Sequence, residues 1–366
     1  MRSLLFYLAT LTATAGELQL TLPPIVYATP GVEMSVYHDN IILTETPENY
    51  RFEFQCTVGK SESSRWSITA KDQDVGDYPM EVRVRDASGN LLESARSLVR
   101  IAPANAGEGR SLRLLIVGDS LTHASAYPNA LADLLSRPGN PAWKMLGTHH
   151  PTSAKPSVYH EGYGGWKWAD FLTKYTAPSP GDTAGPLARK ATSPFLFPTA
   201  DGTKGIFDLP RYFREHCDGV PPDVVTFLLG INDCFGADPQ NPDGKIDEVL
   251  NQADKLLAAF HQAAPKALLA VGLTTPPNAH EAAFQANYQG KYTRWGWKRI
   301  QHRLVQHMIE RFSARESERI YLVPTELNLD PVHGYPDNNG VHPNTFGYAQ
   351  VAASFYAWLK SSAAGK

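Results

Sequence analysis

Hydrophobic and polar positions follow one period in the first quarter of the chain and another in the rest. From about Glu17 to Ala102 short runs alternate apolar and polar residues with period two, as strands with one buried face do. "MEVRVRD" (Met80 to Asp86) alternates in this way, "SGN" (Ser88 to Asn90) has turn chemistry, and "LLESARSLVRI" is the return strand. "YRFEFQCTV" and "RWSITA" behave alike, and no helical period interrupts them. The pattern predicts an all-β sandwich, immunoglobulin-like in size, over residues 17–104. The small and polar stretch "APANAGEGR" (Ala102 to Arg110) reads as a linker. Beyond it "LRLLIVG", "DVVTFLLG", "ALLAVGL" and "RIYLVP" are continuous apolar runs, the mark of strands buried on both faces. Helix-length segments accompany them: Ala126 to Leu135, Asp243 to Ala263, Tyr292 to Phe312, and Asn344 to Leu359. Strands alternating with helices predict an α/β domain over residues 111–366, with a mostly parallel sheet covered on both faces. Ligands in such sheets bind beyond the carboxyl ends of the strands.

Composition changes this picture little. With 366 residues, 42% hydrophobic and 19% charged, the chain has the make-up of a globular protein large enough for two domains. A net charge of −3 and no long basic run give no expectation of a nucleic-acid partner. Residues 1–16 read as an export signal: Arg2 at the start, an apolar stretch from Leu4 to Ala15, and Ala13-Thr14-Ala15 before Gly16. That stretch falls well short of the roughly 20 residues a membrane span needs. The expected location is therefore secreted or periplasmic, with no membrane span. Of the three cysteines, Cys217 and Cys234 flank one predicted strand at opposite ends, and Cys56 lies in the β-rich part. All three are expected to be free.

Three strand ends carry candidate chemistry. "VGDSLT" places Asp119 and Ser120 on the turn into a helix, where the serine hydroxyl and its own N–H face the sheet's carboxyl edge. "GIND" ends the next apolar strand, and Asn232 offers an amide donor to a developing oxyanion. "NGVHPN" precedes the last helix and presents His342. Singly, each has a structural explanation: a helix cap, an Asx turn, an exposed loop histidine. Together, at successive strand ends of one parallel sheet, they point to nucleophilic catalysis.

These residues resemble the SGNH or GDSL-type hydrolases. The matching blocks are "GDSLT" (Gly118 to Thr122), "GYGGWKW" (Gly162 to Trp168), "GIND" (Gly230 to Asp233) and "GVHPN" (Gly340 to Asn344), and the likeness runs from about Leu112 to the C-terminus. The resemblance implies a three-layer, flavodoxin-like hydrolase domain and a serine esterase needing no cofactor and no metal. Ser120 would be the nucleophile and His342 its general base. The oxyanion donors would be the Ser120 N–H, the Asn232 amide, and the N–H of Gly165, with Gly164 as the alternative. The chain departs from the family where an aspartate is expected three residues before the histidine. Asn339 stands there. Asp337 is a second candidate for the orienting group, and Asp330 and Glu326 are more remote ones.

On the substrate side, Asp119, Tyr163, Gly164, Trp166 and Trp295 are the candidate contacts, aromatic faces beside a serine being suited to sugar rings. The implied substrate is a small-molecule or polysaccharide ester, foremost O-acetyl groups on carbohydrates. The alternatives are a broad short-chain esterase or lysophospholipase, and a glycan-binding protein without turnover. A metal-dependent hydrolase using Asp119, Asp233 and His342 lacks any cluster with ligand-like spacing.

Overall fold

A computed structural model describes residues 18–177 and 191–364; the expected export signal lies outside them. The C-terminal part is built on five parallel strands in the order Ala142–Leu146, Ser111–Gly118, Val224–Leu228, Leu268–Gly272 and Ile320–Val323. Numbered along the chain this order is 2-1-3-4-5, the flavodoxin-like arrangement, whose switch point lies between the first and third strands. The apolar runs do what their composition predicts. Val224–Leu228 and Leu268–Gly272 are buried at every position, and Ser111–Gly118 over its last five residues. Helices Ala126–Leu135 and Thr345–Ala364 pack together on one face, with Tyr127 stacked 5.8 Å from Phe355. Asp243–Ala263 and Arg294–Phe312 cover the other, where Phe260 meets Phe227 edge-on at 5.5 Å.

The N-terminal part is β-rich. A sheet in the order Ile25–Ala28, Leu91–Ile101, Gly76–Arg85, Arg51–Gln55 faces a smaller one of Glu33–Tyr37, Arg65–Thr69 and Lys60–Ser61. The predicted hairpin forms with Met80 opposite Ser97 and Val82 opposite Ala95. Inward positions such as Met34, Val36, Trp66, Met80, Val82 and Val99 are buried. Ile25–Ala28 joins its sheet parallel to Leu91–Ile101. The three cysteines are free.

The β layers are not tethered loosely to the C-terminal part. Their buried residues belong to the same apolar cluster as the central sheet. Asn40 donates its amide to the carbonyls of Glu326 (2.7 Å) and Leu329 (2.8 Å), and the Asn328 side chain accepts from the Ser35 N–H at 2.7 Å. Lys298, 3% exposed, donates to the Asp39 carbonyl at 2.6 Å and pairs with its carboxylate, which Arg294 also holds. Within the linker sequence Ala106 is buried, and its carbonyl takes a bond from Lys360.

Candidate active site

The first strand ends at Gly118, and Asp119 leaves helical geometry (φ −100°, ψ −142°) to cap helix Ser120–His123, accepting from the Leu121 N–H at 3.0 Å. Beside it the short strand Glu161–Gly162 pairs parallel to Val117–Gly118, so the glycine block is fastened to the serine block by backbone bonds. Gly162 is dictated by close approach: a Cβ there would lie 2.4 Å from Thr122 Cγ2. Tyr163 to Trp166 then form a turn closed by a 3.2 Å bond from the Trp166 N–H to the Tyr163 carbonyl. Gly165 stands at its third position with φ +83°, which only glycine adopts cheaply.

His342 is brought to this edge by the loop after the last strand. Its Nε2 lies 2.9 Å from Ser120 Oγ, and its Nδ1 lies 3.1 Å from Asn339 Oδ1. The orientation of the Asn339 amide is fixed by its neighbours, because the same Oδ1 accepts the N–H of Val341 (3.1 Å) and of His342 (2.9 Å). That oxygen carries no proton, so Nδ1 bears the hydrogen and Nε2 is left as the acceptor for the serine hydroxyl. Burial pushes the His342 pKa below 6.5, which keeps the ring neutral. Asn278 braces the loop from below, donating its amide to the carbonyls of Pro336 and Asn339 (3.0 Å each) and its N–H to that of Gly340.

The other orienting candidates lie elsewhere. Asp337 is exposed. Asp330 accepts the N–H groups of Val332 and His333. Glu326 is buried, and its carboxyl is pushed up to about 8, so it is neutral at pH 7.

Asn232 joins the serine and glycine blocks. Its Nδ2 donates to the Trp166 carbonyl at 3.1 Å and lies 3.4 Å from Asp119 Oδ2. The second contact is too long to be strong, which leaves that N–H available to a better acceptor. Next to it Asp233 caps helix Trp168–Thr173 through the Trp168 N–H at 3.1 Å. Asp119 and Asp233 are both buried, and desolvation first of all raises each to about 7. Among the described residues no group of three or more His, Cys, Asp or Glu is placed to hold a metal ion, and no helix is long and apolar enough to cross a membrane.

Three of the expected substrate contacts are corrected by burial: Asp119, 1% exposed, turns to the Leu121 N–H and Asn232, and two aromatic residues are buried likewise. Tyr163 is 2% exposed and Trp166 1%, stacked on each other at 4.3 Å. Tyr163 donates its hydroxyl to buried Glu161. Large aromatic rings gain more from burial in a domain of this size than from exposure at its rim. Trp295 is half-buried in the first turn of its helix, and among the described residues no hydrogen bond or ring contact joins it to Ser120, Asn232 or His342. Gly164 is half-buried and Gly165 exposed in the turn.

A different aromatic group flanks the site. Phe235 follows the Asn232 helix and lies 5.0 Å from Tyr288 and 4.3 Å from Tyr292. Tyr288 is 5.7 Å from Phe284, whose ring so closely covers Gly340 that a Cβ there would sit 2.8 Å from it. The rings thus bridge the Asn232 helix and the His342 loop. The i, i+4 spacing of Phe284 and Tyr288 is a sequence signal for those two; Tyr292 lies beyond the end of their helix. Asn278 had no such signal.

Among solved structures, a family 3 carbohydrate esterase from Clostridium thermocellum is 18% identical, covering 70% of this chain and 100% of its own, with a TM-score of 0.44. A carbohydrate esterase family 3 protein from Talaromyces cellulolyticus is 16% identical over 70% of this chain and 99% of its own, at 0.42. No curated protein matches the chain. The family model of GDSL-like lipases and acylhydrolases matches residues 114–355, which hold all the blocks described above, and the chain belongs to this family of carboxylic ester hydrolases.

Proposed function

We propose that the chain removes acetyl groups from carbohydrates through an acyl-enzyme on Ser120. The observation that carries the reading is the Ser120–His342–Asn339 line of hydrogen bonds at 2.9 and 3.1 Å. Ser120 Oγ attacks the ester carbonyl and passes its proton to His342 Nε2. The carbonyl oxygen becomes an oxyanion, held by the N–H groups of Ser120 and Gly165 and by the Asn232 amide, which exchanges its 3.4 Å contact with Asp119 for the stronger acceptor. His342 returns the proton to the leaving sugar oxygen, and a water molecule repeats the sequence to release acetate. The rings of Tyr288, Tyr292 and Phe235 form one wall of the substrate cleft. A short acyl chain suits a sequence with no long apolar lid segment, and the sugar as leaving group rests on the likeness to the carbohydrate deacetylases of the family.

The test is acetate release across a panel of acetylated polysaccharides, with 4-nitrophenyl acetate as the generic ester. Ser120→Ala is expected to lose at least about 10³-fold in kcat. Asn232→Ala is expected to lose about 10²–10³-fold, the usual effect of removing one oxyanion donor. Wild-type turnover by Ser120→Ala would refute the mechanism. Activity on 4-nitrophenyl acetate with none on any polysaccharide would leave the esterase and remove the carbohydrate.

A further inference from the structure

Between the β layers and the hydrolase part lies a groove of about 500 Å³ that plays no part in the steps above. One wall comes from the N-terminal part: Tyr50, Glu48, and His38, whose ring stacks on Phe52 at 4.2 Å. The opposite wall comes from the hydrolase part: Arg294, Val332 and His333. The volume is within the roughly 300–1,000 Å³ of ligand sites.

We infer that this interdomain groove binds a neutral saccharide chain, the part of a polysaccharide that extends away from the ester being cleaved. Three features argue for that class. Aromatic rings stand beside polar groups in one open cleft, which suits the apolar faces and the hydroxyl edges of sugar rings together. The charges at the floor cancel in number, because Asp39 and Asp330 stand against Lys298 and Arg294. Those at the lip do not, because Glu45 and Glu48 are exposed there and repel a polyanion. The third feature is position. Ala279 and Pro331 line the groove and are joined by a 2.7 Å backbone bond, and the neighbouring Asn278 holds the carbonyls of Asn339 and Gly340. The groove and the His342 loop therefore share a wall.

This inference rests on the carbohydrate reading, and a binding measurement separates the two. The full chain is titrated calorimetrically with unacetylated xylohexaose, cellohexaose and mannohexaose, which need no turnover. Two variants block the groove from opposite walls: Tyr50→Ala removes a ring, and Val332→Trp fills space from a position that is already 43% exposed. Tyr50→Ala is expected to weaken the preferred hexasaccharide by about tenfold, which is the loss of one stacked ring, and Val332→Trp by about tenfold or more through steric exclusion. Tyr50→Phe is expected to stay within about threefold, since the stacking face remains. Thermal unfolding of each variant checks that it folds, and the two walls give independent variants should one fail. No hexasaccharide binding to the wild type, or binding that survives both blocking variants, overturns the groove. If groove variants lose binding while no acetylated polysaccharide is hydrolysed, the groove stands and the substrate assignment falls. If polysaccharides are deacetylated and both blocking variants bind normally, the groove alone falls.

Discussion

In the mechanism proposed above, Asn339 takes with a neutral amide the place of the aspartate expected from the family. Its Oδ1 accepts two backbone N–H groups and the His342 ring N–H, so it holds both the loop and the tautomer. What it lacks is charge to match the imidazolium formed when Ser120 loses its proton. Asn339→Asp keeps every one of those acceptor contacts and adds the charge. We expect kcat/KM on 4-nitrophenyl acetate to rise, by about tenfold for each 1.36 kcal/mol gained in the transition state. The pH profile supplies a second readout. The base must be neutral to act, and burial holds its pKa below 6.5, so the acid limb of the wild-type profile should lie below pH 6.5. A carboxylate beside Nδ1 favours imidazolium and should move that limb upward in Asn339→Asp. An unmoved limb would show that the group at 339 does not touch the titrating ring.

At the scale of elements, the loops at the sheet edge are rigid because each is bonded to another. The glycine turn is pinned by pairing of Glu161–Gly162 with the serine strand, and the His342 loop by Asn278. Helix Glu281–Tyr288 follows Asn278 closely and carries Phe284 against Gly340 and Tyr288 against Phe235. If Tyr288 is substrate wall, Tyr288→Ala should raise KM by about three- to tenfold with kcat nearly unchanged, the worth of one aromatic contact. A fall in kcat at constant KM would assign the ring to positioning the His342 loop instead. The sequence of the block "GYGGWKW" does not specify the direction of its rings. A tryptophan in a loop-like segment reads the same whether it faces solvent or core. Only packing against Phe171 and Glu161 sends Tyr163 and Trp166 inward.

Across the whole molecule, buried carboxyls, Asp119, Asp233 and Glu326 among them, set how stability follows pH above neutrality. Asp119 and Asp233 rise from 3.8 to about 7, and Glu326 from 4.5 to about 8, each chiefly by desolvation. A raised folded-state value means the native protein holds protons that the unfolded chain has released. Below about pH 7 the buried histidines His38, His160 and His302, whose values burial lowers to about 3–4, oppose this effect, so stability should fall with pH only above about 7, by at most about 1.4 kcal/mol per pH unit for each carboxyl. Urea unfolding at pH 7 and pH 8 measures the slope, and Glu326→Gln should flatten it whatever its effect on the absolute value. Glu326 lies at the joint where its carbonyl receives Asn40, so the same residue reports on the docking of the β layers. By itself the sequence determined the alternation of buried strands and helices, the switch from period two, and the three strand ends bearing Ser120, Asn232 and His342. These are local properties: burial on both faces demands apolar runs, and a strand-to-helix turn demands capping residues. Tertiary structure decided which amide faces Nδ1 of His342, which rings reach the cleft, and how the β layers meet the hydrolase part. Each of those depends on contacts between residues far apart along the chain, whose partners no local pattern specifies.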